Sequence, residues 1–247
     1  MGSSYEFDVD TAAVRVTSGG YAANITDRWS VGHRPNGGYL LATILGALGQ
    51  ESPFPDLLAI HASFLAPAVP GAAEIATRPL AVGTSIARYT ATLQAGPRDT
   101  VHATATFGVV LDVDQTLAEP PPTVSRAGCE APSAELRQTL PMTLIDRLDF
   151  RFAPGGLDWT RGVSSDLAGI DGWVRLRDGR AIDARAAIML LDVFPPSIWS
   201  AGIYGSAPTL DFSAAVHRRP ASRWFWLSDQ MQPRRGRDVP RDRSSVG

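Results

Sequence analysis

The strongest hydrophobic pattern in the first half of the chain runs from Tyr39 to Leu48 and is apolar on nearly every side. An amphipathic surface helix would carry polar residues every three to four positions, so this run predicts a buried helix. Asn36-Gly37-Gly38 stands directly before it. Glycines at a helix start let another group approach the backbone, and the free N–H groups of the first turn can hold an anion or polarise a carbonyl. A plain structural turn is the alternative.

Polar and apolar residues alternate with period two over residues 87–94, which is typical of a half-covered strand. One helix wrapped by a long antiparallel sheet is the simplest arrangement of these elements. The predicted strands are residues 5–17, Tyr21–Trp29, Leu57–Ala66, Ala73–Pro79, Ile86–Gln94 and Val101–Val110.

The second half repeats this plan. A second buried helix is predicted at Ala181–Leu191, directly before Asp192 and a Pro-rich turn. The stretch from Pro67 to Leu111 has room for three strands, whereas the sequence after Pro220 soon becomes Arg-rich. We therefore expect two strands of the second unit to be absent. The predicted strands are Arg147–Phe152, Gly172–Arg177, Thr209–Val216 and Trp224–Leu227.

Proline and polar residues separate the two halves. Residues 112–141 include Glu119-Pro120-Pro121-Pro122 and read as a connector with a short helix at Ala134–Leu140. The sequence thus predicts an N-terminal unit over residues 1–111, a linker over 112–141 and an incomplete C-terminal unit over 142–232. The Arg-rich segment 233–247 is predicted to be a disordered tail.

Composition narrows the classes of function. All 23 basic residues of this 247-residue chain are arginine, which excludes Schiff-base and Walker-type lysine chemistry. The net charge of −2 argues against a nucleic-acid surface. One cysteine, Cys129, permits no internal disulfide and no cysteine metal cluster. No apolar run reaches the ~20 residues of a membrane span, and no secretory signal is evident, so a cytoplasmic location is expected.

Two polar residues near the second helix are candidates for catalysis. Asp192 ends an apolar run, where a carboxylate is costly unless it is paired or functional. It either caps the helix end or orients and deprotonates a water. Period-two alternation places Thr209, Asp211 and Ser213 on one strand face beside the helix, where Thr209 could hold the same water; a polar sheet edge is the alternative.

Familiar catalytic motifs are absent from the sequence. The four histidines are not spaced as metal ligands and are better interpreted as structural. Neither a GxSxG elbow nor a GxGxxG or P-loop motif occurs. No metal or cofactor is expected.

Several short segments, in order over residues 20–227, resemble the bacterial type II acyl-CoA thioesterases of the thioesterase-like, double-hotdog superfamily. In the first half these are Asn36-Gly37-Gly38-Tyr39, the strand His61-Ala62-Ser63-Phe64-Leu65-Ala66-Pro67, and the hairpin segments Gly83-Thr84-Ser85 and Gln94-Ala95-Gly96. In the second half they are Trp173-Val174-Arg175, Leu191-Asp192, and a T-x-D-x-S-x-x-x-H-R strand beginning at Thr209, with Trp224 following.

The resemblance implies an α+β double hotdog, two repeats that each wrap a long central helix in an antiparallel sheet. It implies hydrolysis of an acyl-CoA to a free acid and CoA, with Asp192 and Thr209 holding the attacking water. The substrate would contact Asn36, Gly37, Gly38 and Tyr39, and the protein would be a homo-oligomer. The family's third water-holding residue is a glutamine on the last strand, and neither Gln230 nor Gln232 lies in a matching motif. A non-catalytic acyl-CoA or acyl-chain binder, or a truncated inactive thioesterase, is therefore the alternative.

Overall fold

The computed structural model describes residues 5–111, 124–140, 142–165, 168–205, 207–220 and 222–231. The predicted tail 233–247 and the Pro-rich part of the linker lie outside these ranges. Four α-helices occur in the described residues: α1 (Glu6–Asp10), α2 (Gly37–Glu51), α3 (Ala134–Thr139) and α4 (Ala184–Leu190). The predicted helices near residues 39–48 and 134–140 are thus confirmed.

Every strand pair among the described residues is antiparallel, and their strands form one large and one small sheet with a short two-stranded pair. The large sheet has the order β1-β2-β6-β7-β8-β5-β11, with β1 (Ala13–Thr17), β2 (Gly20–Ile25), β5 (Asp56–Phe64), β6 (Gly71–Val82), β7 (Ala87–Gln94), β8 (Asp99–Gly108) and β11 (Asp211–Ala215). The small sheet has the order β12-β10-β9, with β9 (Leu148–Phe152), β10 (Gly169–Leu176) and β12 (Phe225–Gln230). The two-stranded pair is β3 (Ser30–Val31) with β4 (Arg34–Pro35).

Helix α2 lies against the large sheet and buries nearly all of its length. Its neighbour on the other side is α4, and the two helices run antiparallel: Gly38 near the start of α2 faces Met189, whereas Gly46 near its end faces Arg185. The small residues of α2 allow this close approach. The core therefore has its centre at the helix pair, between sheet strands from both halves of the chain.

Four predictions of secondary structure need correction. The strand predicted at Tyr21–Trp29 ends at Ile25, because Asp27–Trp29 forms a 3₁₀ helix capped by Thr26. Residues 5–17 are not one strand, because Glu6–Asp10 forms a helix that buries Phe7 and Asp10, three residues apart. The second central helix has seven residues rather than the predicted span Ala181–Leu191, because Asp183 caps it by accepting a hydrogen bond from the N–H of Ala186. The strand expected to start at Thr209 begins at Asp211.

Candidate active site

Asp192 lies just beyond the C-terminal end of α4, at the N-terminus of α2. Its Oδ2 atom accepts hydrogen bonds from the Gly38 N–H at 2.9 Å and from Asn36 Nδ2 at 3.0 Å. Its Oδ1 atom accepts a hydrogen bond from the Thr209 hydroxyl at 3.1 Å. Asp192 as a whole is half-buried, and these three donors fix the position of its carboxylate.

The local sequence explains this arrangement. Asn36 is the N-cap of α2, and its Oδ1 accepts from the Tyr39 N–H at 3.0 Å. Gly38 has no Cβ, which matters because a Cβ there would lie 2.6 Å from the main-chain oxygen of Met189. The missing side chain lets the end of α4 approach the start of α2, so Asp192 meets the first-turn N–H groups.

Burial raises the pKa of Asp192. The hydrogen bonds from Gly38, Thr209 and Asn36 and the N–H of Gly37 stabilise the charged form and lower the pKa, but the effect of burial outweighs them. The largest influences on this pKa are thus burial and hydrogen bonds from uncharged groups. A carboxylate in these surroundings is a better proton acceptor than an exposed aspartate.

Not every residue expected at the site is there. The Tyr39 side chain is fully buried, donates to the main-chain oxygen of Asp10 at 2.9 Å and stacks on Trp29, so it supports the core instead of facing a substrate. The Gly38 N–H, expected to polarise a substrate carbonyl, donates to Asp192. Sequence reasoning missed this pairing because the two residues are 154 positions apart.

The three polar residues predicted to share one strand face, Thr209, Asp211 and Ser213, lie in two separate places. Thr209 precedes β11 and turns toward Asp192, whereas Asp211 and Ser213 lie on the exposed side of the sheet. There Asp211 accepts a hydrogen bond from Ser63, and Ser213 lies 2.7 Å from His61 Nδ1. The predicted common face is therefore wrong, because regular strand alternation begins only at Asp211.

Two cavities lie near the helix pair. A narrow apolar cavity of about 20 Å³ is lined in part by Val193, the residue after Asp192, and by Pro195. A larger one of about 340 Å³ includes Leu45 and Gly49 in the second half of α2 and the ion pair between Asp56 and Arg219. Leu45 is nine residues from Asn36, or ~13 Å along the helix axis, so the larger cavity does not adjoin Asp192.

Within the described ranges, no group of three or more His, Cys, Asp or Glu residues is placed to hold a metal ion. No helix among the described residues is long and apolar enough to cross a membrane.

Both halves of the chain match the two domains of one protein family. The sequence profile of the acyl-CoA thioesterase N-terminal domain matches residues 25–108, and that of the C-terminal domain matches residues 119–237. An uncharacterized protein of Mycobacterium tuberculosis is 27% identical over 248 aligned positions, which cover 88% of this chain and 81% of that protein.

Solved structures show the same fold. A candidate thioesterase II from Thermobifida fusca superimposes with a TM-score of 0.80 at 24% identity, covering 92% of this chain and 85% of that one. A protein with a hot dog fold from Alicyclobacillus acidocaldarius superimposes with a TM-score of 0.75 at 22% identity. The match covers 88% of this chain and 80% of that one. Acyl-CoA thioesterase II TesB2 from Mycobacterium marinum superimposes with a TM-score of 0.64 at 14% identity. The match covers 90% of this chain and 84% of that one.

Proposed function

The chain belongs to the acyl-CoA thioesterase family, and on that premise we propose that it hydrolyses an acyl-CoA to a free acid and CoA with water activated by Asp192. One observation carries the proposal: a partly buried carboxylate is held by Asn36, Gly38 and Thr209 where the two central helices meet. Because burial raises its pKa, the carboxylate is suited to accept a proton from water.

The reaction proceeds in two steps. Asp192 takes a proton from water while the water oxygen bonds to the thioester carbon, and the carbonyl electrons move onto oxygen. The tetrahedral intermediate then re-forms the carbonyl and expels the CoA thiolate, which takes the proton from Asp192, so the carboxylate is regenerated as the acid is released. Thr209 keeps the carboxylate and the water together, since its hydroxyl donates to Oδ1 and its oxygen can accept a hydrogen bond from the water.

We interpret the two halves as two hotdog units. Each central helix is preceded by a strand that pairs with a strand following the helix: β2 with β6 in the first half, and β10 with β12 in the second. In the first half, β7 and β8 lie between β6 and β5. In the second, β12 and β11 are edge strands of different sheets, and the described residues include no strand that joins them. This difference supports the proposal that the second unit lacks two strands.

The test of the reaction is CoA release from acyl-CoAs of graded chain length. Asp192→Asn keeps the size of the side chain and removes the base, so we expect turnover to fall on the order of 10²–10⁴-fold. Thr209→Val should also slow turnover while leaving the carboxylate in place. Equal rates for Asp192→Asn and the parent would contradict the assigned role.

A non-catalytic acyl-CoA binder is the second candidate. In the described residues no glutamine donates a hydrogen bond to Asp192 or Thr209; Gln230 contacts Ser228 instead. A binder would be stabilised against heat by acyl-CoA without accumulation of free CoA, since a ligand of the folded state raises its stability by mass action. Stabilisation with stoichiometric CoA release would exclude this candidate. A cytoplasmic location and a homo-oligomeric state are further parts of the proposal.

A further inference from the structure

Asn36 binds Asp192 at two points, although the residues are 156 positions apart. Its Nδ2 donates to the main-chain oxygen of Asp192 at 2.6 Å and to Oδ2 at 3.0 Å. Its Oδ1 accepts from the Tyr39 N–H at 3.0 Å. These partners fix the orientation of the amide, because a reversed amide would place its oxygen against two acceptors. At 7% exposure, Asn36 has little solvent to replace any of these bonds.

The two oxygens of the carboxylate are occupied unequally. A carboxylate oxygen accepts about two hydrogen bonds. Oδ2 receives two, from Gly38 and Asn36, and lies beside Gly37, where a Cβ would come within 2.8 Å of it. Among the described residues, the hydrogen bond to Oδ1 comes from Thr209. Oδ1 therefore retains an acceptor position, next to a hydroxyl oxygen that can accept a second hydrogen from the same water.

We propose that Asn36 is a positioning residue that fixes the carboxylate of Asp192 so that Oδ1 is the atom that takes the proton from water. This inference rests on the proposed function. Rotation of the carboxylate would break the Asn36 and Gly38 bonds to Oδ2 together, while the bond to the main-chain oxygen holds the Asp192 backbone against the start of α2. The hydrogen bonds of Asn36 thus join the two halves of the chain and set the distance between Asp192 and the start of α2.

The rival explanation is that Asn36 serves only as the N-cap of α2. Substitutions that keep the cap but remove the hydrogen bonds to Asp192 separate the two roles. Serine and aspartate are also good N-caps, so Asn36→Ser and Asn36→Asp should retain the hydrogen bond to the Tyr39 N–H. Serine is too short to replace the amide bridge to Asp192. Aspartate replaces the donor by a second carboxylate. Ser133→Asn is the control, because it exchanges the cap of α3 at an exposed position without a hydrogen bond to the site.

The experiment measures kcat, KM, the pH profile of kcat and the melting temperature of the three variants. In Asn36→Ser we expect kcat to fall on the order of 10²-fold with KM nearly unchanged, because the base is misplaced while binding is retained. In Asn36→Asp the acid limb of the profile should move to higher pH, because a like charge disfavours ionisation of Asp192. Ser133→Asn should resemble the parent. Parent-like kcat and pH profile in Asn36→Ser would overturn the proposal and leave a capping role.

A carboxyl NMR titration of Asp192 separates this inference from the proposed reaction. Loss of the Asn36 donor should raise the pKa of Asp192 in both Asn36 variants, whether or not any thioester is hydrolysed. If the parent releases no CoA but the pKa rises, the proposed function fails and the positioning stands. An unchanged pKa in both variants would overturn the positioning. Should Asn36→Ser fold poorly, an unchanged pKa in Asn36→Asp would still overturn the positioning.

Discussion

At the scale of single residues, the site depends on side chains that are small or absent. A Cβ on Gly38 would lie 2.9 Å from Cα of Met189, and one on Gly37 would lie 2.8 Å from Oδ2 of Asp192. The sequence indicates the importance of Gly37-Gly38 and Asp192 separately. It does not reveal that they meet, because no local pattern encodes a hydrogen bond across 154 positions.

Gly38→Ala tests this close approach. The added methyl group meets backbone atoms of Met189, which cannot move aside as a flexible side chain would, so we expect a loss of about 1–3 kcal/mol in stability and a large loss of activity. Gly49→Ala is the matched control in the same helix. It meets nothing within 4 Å and should stabilise the protein by up to about 1 kcal/mol. Urea denaturation of both variants measures the difference, and similar effects would refute the steric explanation.

The pH dependence of turnover follows from the raised pKa of Asp192. The proposed reaction needs the carboxylate, so kcat should fall on the acid side with a midpoint above the ~3.9 of an ordinary aspartate. Because the folded state binds this proton more tightly than the unfolded state, ionisation costs stability as pH rises through the raised pKa. Asp192→Asn should therefore melt no lower than the parent at pH 7. A midpoint below 4 or a clearly lower melting temperature would contradict the assignment.

At the scale of elements, helix α1 shows why the acidic residues near the N-terminus interrupt the expected strand. Asp8 accepts hydrogen bonds from Arg180 Nε at 2.9 Å and from Arg185 Nη2 at 2.7 Å, and Glu6 accepts one from Arg147. All three arginines belong to the second half of the chain. A helix of five residues is too short for hydrophobic periodicity to identify, and its partners are remote, so the strand prediction failed there.

Asp8→Asn tests whether α1 holds the halves together. Arg180 is nearly buried and would keep only Asp183 as its charged partner, so we expect a loss of about 1–2 kcal/mol after allowance for the partial exposure of Asp8. Asp158→Asn is the control, because its pair with Arg161 is exposed on both sides and should contribute less than about 0.5 kcal/mol. Equal losses by chemical denaturation would show that α1 contributes only surface charge.

At the scale of the whole molecule, the sequence predicted most strands, the long helix and the α+β class. A hairpin such as β7–β8 can be predicted from the alternation of polar and apolar residues and from the short turn between the strands. The pairing of β5 with β11 does not, because it joins residues such as His61 and Ser213 from opposite halves. This pairing places Thr209 next to Asp192, so the arrangement of the candidate site depends on a long-range contact rather than on either motif alone.

The central claim is that Asp192 activates water instead of attacking the thioester itself. A single turnover in H₂¹⁸O, with enzyme in excess over acyl-CoA, distinguishes the two reactions by mass spectrometry. If Asp192 is a general base, the product acid carries one ¹⁸O atom in that first turnover. Unlabelled acid accompanied by ¹⁸O in the side chain of Asp192, or no acid at all, would contradict the account.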